Sequence, residues 1–182
     1  FTNTTAYRYY RYLSPADSFG DIAELEFFGT AGGLTTGPTQ LTGTTIGTAG
    51  SYQNGGNTIA KATDGNLSTF FDGPTAGTSA SNDNWVGLDL GTSGGVVTQV
   101  EFASRSGFAS RMNGGMIQAS NSSTFSSGVV TLYTIGSTAN PSSTSLTTAT
   151  FSNSTVYRYY RYLSPNGSYG DIAEIQFFGS AG

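Results

Sequence analysis

The chain has 182 residues, of which only 10% are charged and 13% aromatic, with a net charge of −4. Seven basic residues leave too small a cationic footprint for nucleic acid, and no apolar run approaches the roughly 18 residues that span a bilayer. With neither His nor Cys, the sequence excludes Ser–His and Cys–His nucleophiles, histidine metal centres, zinc thiolates and disulfides.

Residues 1–32, FTNTTAYRYYRYLSPADSFGDIAELEFFGTAG, return as residues 151–182, FSNSTVYRYYRYLSPNGSYGDIAEIQFFGSAG, at an offset of 150 without a gap. One such period suits a single domain. The natural division is an extra terminal hairpin over 1–32 and a complete domain over 33–182, with TAGGLTTGPTQ (30–40) as the linker signal. Two readings of the copy stand side by side. It is a slice of a tandem array, or a segment lent to a neighbouring subunit by strand addition or swapping. In either case coupling falls to Tyr7, Tyr9, Leu13, Ile22, Leu25, Phe27 and Phe28, with their counterparts in 157–163 and 172–178.

Further along, strand signals recur at short intervals and helix signals are nearly absent. WVGLDLG (85–91) alternates, with Val86, Leu88 and Leu90 on one face. VVTQVEFAS (96–104), GGMIQASN (114–121) and VVTLYTI (129–135) read likewise. YRYYRYL (157–163) and DIAEIQFFG (171–179) look like a strand pair joined by SPNGSYG, with Ala173, Ile175 and Phe177 on a buried face and Glu174 and Gln176 on a wet one. Many short strands with Gly- and Ser-rich turns predict an all-β antiparallel sandwich or barrel. The chain begins at Phe1 without a signal-like segment and reads as a processed or truncated product. Its Ser/Thr/Gly-rich, weakly charged surface predicts an extracellular or cell-surface protein. N-x-S/T sequons at Asn3, Asn66, Asn121, Asn153 and Asn166 permit glycosylation without demanding it.

Taken as one unit, 33–182 resembles the discoidin, or factor V/VIII type C, superfamily, and within it the bacterial carbohydrate-binding modules of family 32. The resemblance is carried by IGTAGSYQNGGNTIAKATDGNLSTFFDG (46–73), NWVGLDLG (84–91), VTQVEFASRSGFASRMNGGMIQASN (97–121) and the terminal YRYYRYL and DIAEIQFFG. It implies a jelly-roll sandwich of about eight strands, here with an extra duplicated terminal hairpin. It also implies a structural Ca2+ held by side-chain oxygens of Asp64, Thr69 and Glu174 and carbonyls of Lys61, Asn66 and Ala173. Mixed oxygen donors of this kind suit a hard cation. The plainer alternative is an Asp capping its own turn and a Glu on the solvent face.

Catalysis is poorly supplied, because the eleven acids are scattered and nothing near Lys61 forms a motif. The chain reads as no enzyme. Sugar recognition needs exposed aromatic faces and hydroxyl-bonding polar groups. The candidates are Tyr52, Asn54, Phe71, Arg105, Phe108 and Arg111, supplemented by Gln53, Asn82 and Asn113. For Arg105 and Arg111 the favoured reading is instead loop bracing, by pairing with Asp72, Asp83 or backbone carbonyls. The leading expectation is a non-catalytic structural unit of an extracellular fibre or surface array, coupled to copies of itself through the duplicated segment. The alternative is a carbohydrate-binding module that anchors an enzyme or cell to polysaccharide.

Overall fold

The computed structural model describes residues 7, 9–28, 37–77 and 83–182. The chain divides into two units, 1–37 and 38–182.

The larger unit is an antiparallel β-sandwich. Its strands are β1 (Thr39–Gln40), β2 (Thr44–Gly47), β3 (Trp85–Asp89), β4 (Gly95–Ser104), β5 (Met116–Ser120), β6 (Val130–Thr134), β7 (Thr147–Thr150), β8 (Tyr159–Leu163) and β9 (Ile172–Ala181). One sheet has the order β1-β9-β4-β7 and the other β2-β3-β8-β5-β6. The expected strands over 85–91, 96–104, 114–121, 129–135, 157–163 and 171–179 are all present within a few residues. Three others carried no apolar alternation: β1, β2 and β7. Thr39–Gln40 falls inside the stretch expected to be linker and pairs with Gly179 and Phe178 of β9.

The terminal strands correct one expectation. β8 and β9 are not a hairpin: they lie in different sheets and each occupies the middle of its own. β8 is held between β3 and β5, and β9 between β1 and β4. The connection at 164–171 is thus an arch from one sheet to the other. Their inward residues meet across the core, where Tyr160 lies 6.2 Å from Phe177, ring centre to ring centre. The Tyr160 hydroxyl then reaches β4, donating to the Gly95 carbonyl (2.8 Å) and accepting from the Val97 N–H (3.3 Å). This ties the two sheets together at a register shift in β4 between Val97 and Gln99.

Val86, Val100, Phe102, Ile117, Ile175 and Phe177 fill the space between the sheets. Alternation along β3 works as read, since Val86 and Leu88 enter the core. Trp85 is only half-buried and packs edge-on against Phe125 at 5.4 Å. Beside it Arg161 is buried, bonds the Gln118 amide oxygen through Nε and Nη2 (2.9 and 2.8 Å), and stacks on Phe125. Burial pushes its guanidinium down to about 10.

The smaller unit contains no strand or helix among its described residues, so no hairpin is seen over 7 and 9–28; the rest of the hairpin expected over 1–32 lies outside the described residues. Residues 16–20 make a turn, and Tyr7, Tyr9, Leu13, Ile22, Leu25, Phe27 and Phe28 are all exposed.

Candidate functional site

Two segments position the polar features of the sandwich: the loop 61–73, and the start of β9 with the arch before it. They are joined by an isolated bridge between Phe71 and Ile172, in which the Phe71 N–H donates to the Ile172 carbonyl (2.8 Å). Phe71 is fully buried by that bridge. The expectation that it faces a ligand is therefore corrected: Phe71 is a core residue that anchors the loop.

On one side of the bridge is a cleft of about 240 Å³ lined by Tyr52, Asp72, Arg105, Phe108, Arg111 and Tyr169. Tyr52 comes from the short turn Tyr52–Asn54, and Phe108 caps the turn Ala109–Met112 that holds Arg111. Tyr52 and Tyr169 meet edge to face at 5.4 Å. Arg105 spreads over the rings of Phe70 and Phe108 (4.0 and 4.3 Å), and Arg111 over Phe108 and Tyr169 (4.5 and 5.3 Å). Buried Asp171 organises the cations, accepting from Arg105 Nη1 (2.8 Å) and from Arg111 Nη1. Arg105 Nη1 also donates to Asp72 (2.8 Å). Burial, then repulsion from Asp171, pushes the Asp72 carboxyl up, against the opposing pull of the two arginines.

The bracing role read for Arg105 is thus present, with Asp72 as one partner. The second acid is Asp171 and not Asp83. Each arginine makes these bonds through Nη1, on a cleft that also holds the rings of Tyr52 and Tyr169. Asn54 shares the turn of Tyr52, with a left-handed φ of 55°, but does not line the cleft. Asn82 lies outside the described residues. Tyr169 and Asp171 went unread in the sequence because S-Y-G-D looks like turn chemistry; only the structure shows Tyr169 held at a positive φ of 57° before Gly170.

On the other side of the bridge, the oxygens expected to hold a cation come together. The Thr69 hydroxyl lies 2.8 and 2.9 Å from the Asp64 carboxylate oxygens, 2.9 Å from the Asn66 carbonyl and 3.4 Å from the Lys61 carbonyl. One hydroxyl proton cannot serve four acceptors, so hard oxygens converge here beyond what their own hydrogen bonds require. Glu174 adjoins them, its carboxylate accepting from the Gly65 N–H (3.1 Å) and the Gln176 amide (3.3 Å). It is not on a wet face: the loop 61–69 covers it, and burial pushes its carboxyl up. Ala173 is buried just before it in β9. The donor set fits Ca2+, which takes six to eight oxygens in irregular geometry.

Of the sequons, Asn66, Asn121 and Asn166 are exposed, whereas Asn153 is half-buried and its amide donates to the Val97 carbonyl (3.1 Å). That amide is committed inside the fold. Asn3 lies outside the described residues. A second concavity, about 480 Å³, is lined by residues 39–42, Leu90, Gly94 and 179–181. Although larger, it offers no aromatic face and no charged donor, so the smaller cleft is the better ligand site.

The F5/8 type C domain profile matches residues 46–175, most of the chain. The chain belongs to the F5/8 type C domain family. Among solved structures, the module is 52% identical to "CBM62 from Clostridium thermocellum Xyl5A", a carbohydrate-binding module, over 78% of this chain and 97% of that one, with a TM-score of 0.72. The CBM32 of AlyQ, solved with 4,5-unsaturated mannuronic acid, is 24% identical over 77% of this chain and 98% of that one, with a TM-score of 0.56. Chitosan-binding module 1 from a Paenibacillus sp. IK-5 chitosanase/glucanase is 23% identical over 76% and 96%, with a TM-score of 0.53. These two more distant likenesses speak to the fold alone. The comparison with curated proteins found no match. The module is a non-catalytic β-sandwich. The comparisons favour the carbohydrate-binding reading and lend no support to the fibre role, which was the leading expectation from sequence.

Proposed function

We propose that the module binds carbohydrate in the cleft of Tyr52, Asp72, Arg105, Phe108, Arg111 and Tyr169. The observation that carries this is a set of guanidinium donors fixed by a buried carboxylate between aromatic rings. Aromatic faces suit the apolar face of a pyranose, and oriented N–H groups suit its hydroxyls. The arginines are held before any ligand arrives, so less ordering is left to binding. A volume of about 240 Å³ is below the roughly 300–1,000 Å³ of pockets for drug-sized ligands. A cleft of this size suits contact with a single sugar residue of a glycan.

Side-chain oxygens of Asp64, Thr69 and Glu174 and the carbonyls of Lys61, Asn66 and Ala173 would hold a structural Ca2+ in this reading. Such an ion would supply positive charge beside the buried Glu174 and tie the loop 61–73 to β9. A module of this kind works outside the cell, where polysaccharide is met.

The test is a glycan array, followed by calorimetric titration of the best ligand into the wild type and into R111A and Y169A. Binding to a defined terminal sugar that is weakened in both variants supports the reading. Absence of any glycan ligand, or binding indifferent to both substitutions, refutes it.

A further inference from the structure

Residues 7–28 and 157–178 differ at five positions only: Ala16/Asn166, Asp17/Gly167, Phe19/Tyr169, Leu25/Ile175 and Glu26/Gln176. The second copy is the β8–β9 arch, and its environment is known in detail. Tyr160, Leu163 and Phe177 are 0%, 2% and 0% exposed, whereas Tyr10, Leu13 and Phe27 are 51%, 72% and 57% exposed. One sequence is thus seen once with its flanking strands and once without them.

The unflanked copy already holds the arch's local geometry. Asp17, Phe19 and Gly20 take φ of 64°, 51° and 73°, against 77°, 57° and 82° at Gly167, Tyr169 and Gly170. The Asp21 N–H bonds the Ser18 carbonyl at 3.3 Å, as the Asp171 N–H bonds that of Ser168 at 3.3 Å. Tyr10 meets Phe27 at 5.8 Å and 45°, as Tyr160 meets Phe177 at 6.2 Å and 49°. Tyr7 stands edge-on to Tyr10 at 6.0 Å, as Tyr157 does to Tyr160 at 6.1 Å. That ring pair across the arch sets the spacing of two sheets and not the pairing of a hairpin. What 7–28 lacks is β3 and β5 on one side and β1 and β4 on the other.

We infer that residues 7–28 are a second, preformed β8–β9 arch, able to fill the central slot of the 39–150 shell of this module in place of 157–178. Because the slot is central in both sheets, the arch does not add to the edge of a finished sandwich. It replaces the resident arch or completes a shell that has none. Exchange of an identical element is the low-cost route to association between copies. The chemistry of the sites is largely carried along: Asp21 supplies the carboxylate of Asp171 and Glu24 that of Glu174. Phe19 replaces Tyr169, so an exchanged cleft loses one hydroxyl.

The full chain carries the test. I172D/I175D places two unpaired charges in the core and unseats the resident arch, since both isoleucines are fully buried. The expected result is a single cooperative thermal transition with native near-ultraviolet dichroism in I172D/I175D, because 7–28 takes the slot. I22D/L25D also stays folded, and the fourfold variant I22D/L25D/I172D/I175D does not. Y160D/F177D provides an independent second pair and behaves as I172D/I175D does. Retention of fold in a monomer or in a larger species supports the inference equally. If I172D/I175D and Y160D/F177D lose structure as completely as the fourfold variant, the second arch cannot fill the slot and the inference is overturned.

Discussion

Asp171→Asn removes one charge from the buried carboxylate that orders the cleft. The Asp171 side chain is fully buried, and it bonds Arg105, whose side chain is 22% exposed, and Arg111, which is 36% exposed. A hydrogen bond to a charged group is worth about 1.5–3 kcal/mol when buried, and exposed ion pairs about 0–1 kcal/mol. The Arg105 contact therefore contributes about 2 kcal/mol and the solvent-screened Arg111 contact under about 1 kcal/mol, giving a loss of about 2–3 kcal/mol. In a domain of 150–250 residues, each kcal/mol shifts Tm by about 2–4 °C, so differential scanning calorimetry should register a fall of about 4–12 °C. Calorimetric titration of the array-selected sugar should show weaker binding as well, because Arg111 loses its carboxylate and Arg105 keeps only Asp72. A Tm within about 2 °C of wild type together with unchanged affinity would refute the assignment of Asp171 as organiser of the cleft.

Y169A and F108A each remove an aromatic wall and should weaken sugar binding about tenfold, near 1.4 kcal/mol, with little change in Tm; titration calorimetry decides. The Glu174 carboxyl is raised above its ordinary value of 4.5 by burial, so between pH 4.5 and its folded value the native state binds more protons than the unfolded state. Stability without calcium should therefore fall as pH rises through that window. E174Q should flatten the trend, and added calcium should oppose it because the ion needs the carboxylate ionised. Since Thr69, Phe71 and Asp72 lie on one loop, chelation should also weaken sugar binding, read by titration with and without chelator. In G87A a Cβ would sit 1.9 Å from the Tyr160 carbonyl oxygen, so the close β3–β8 pairing should open at a cost of about 3 kcal/mol, measured by urea unfolding.

Legibility followed the range of the interaction. β3 was plain in the sequence because alternation of Val86 and Leu88 is a local record of one buried face. β1, β2 and β7 are short, Thr-rich edge strands, where neither face is sealed strongly enough to impose a pattern. The oxygens of 61–69 were reached through the family resemblance, which rests on the contiguous stretch ATDGNLST (62–69). The burial of Glu174 was not found, because only the topology lays that loop over β9. Phe71 was misread for the same reason: its partner Ile172 is a long-range neighbour. SPNGSYG reads as a hairpin turn, since nothing local says that the strands on either side enter different sheets. Arg105, Phe108 and Arg111 were legible as a compact aromatic–cation group. The acid that unites them, Asp171, sits far away in the chain beside a glycine.

In the proposed function the cleft beside the Phe71–Ile172 bridge receives the sugar. The most direct measurement is a 15N–1H chemical-shift titration of the full chain with the strongest ligand from the array, in calcium. The largest saturable shifts are expected at the backbone amides of Tyr52, Phe108, Arg111 and Tyr169 and at the arginine side-chain N–H groups. Shifts centred instead on residues 39–42 and 179–181, around the larger concavity, with none in the cleft, would contradict it.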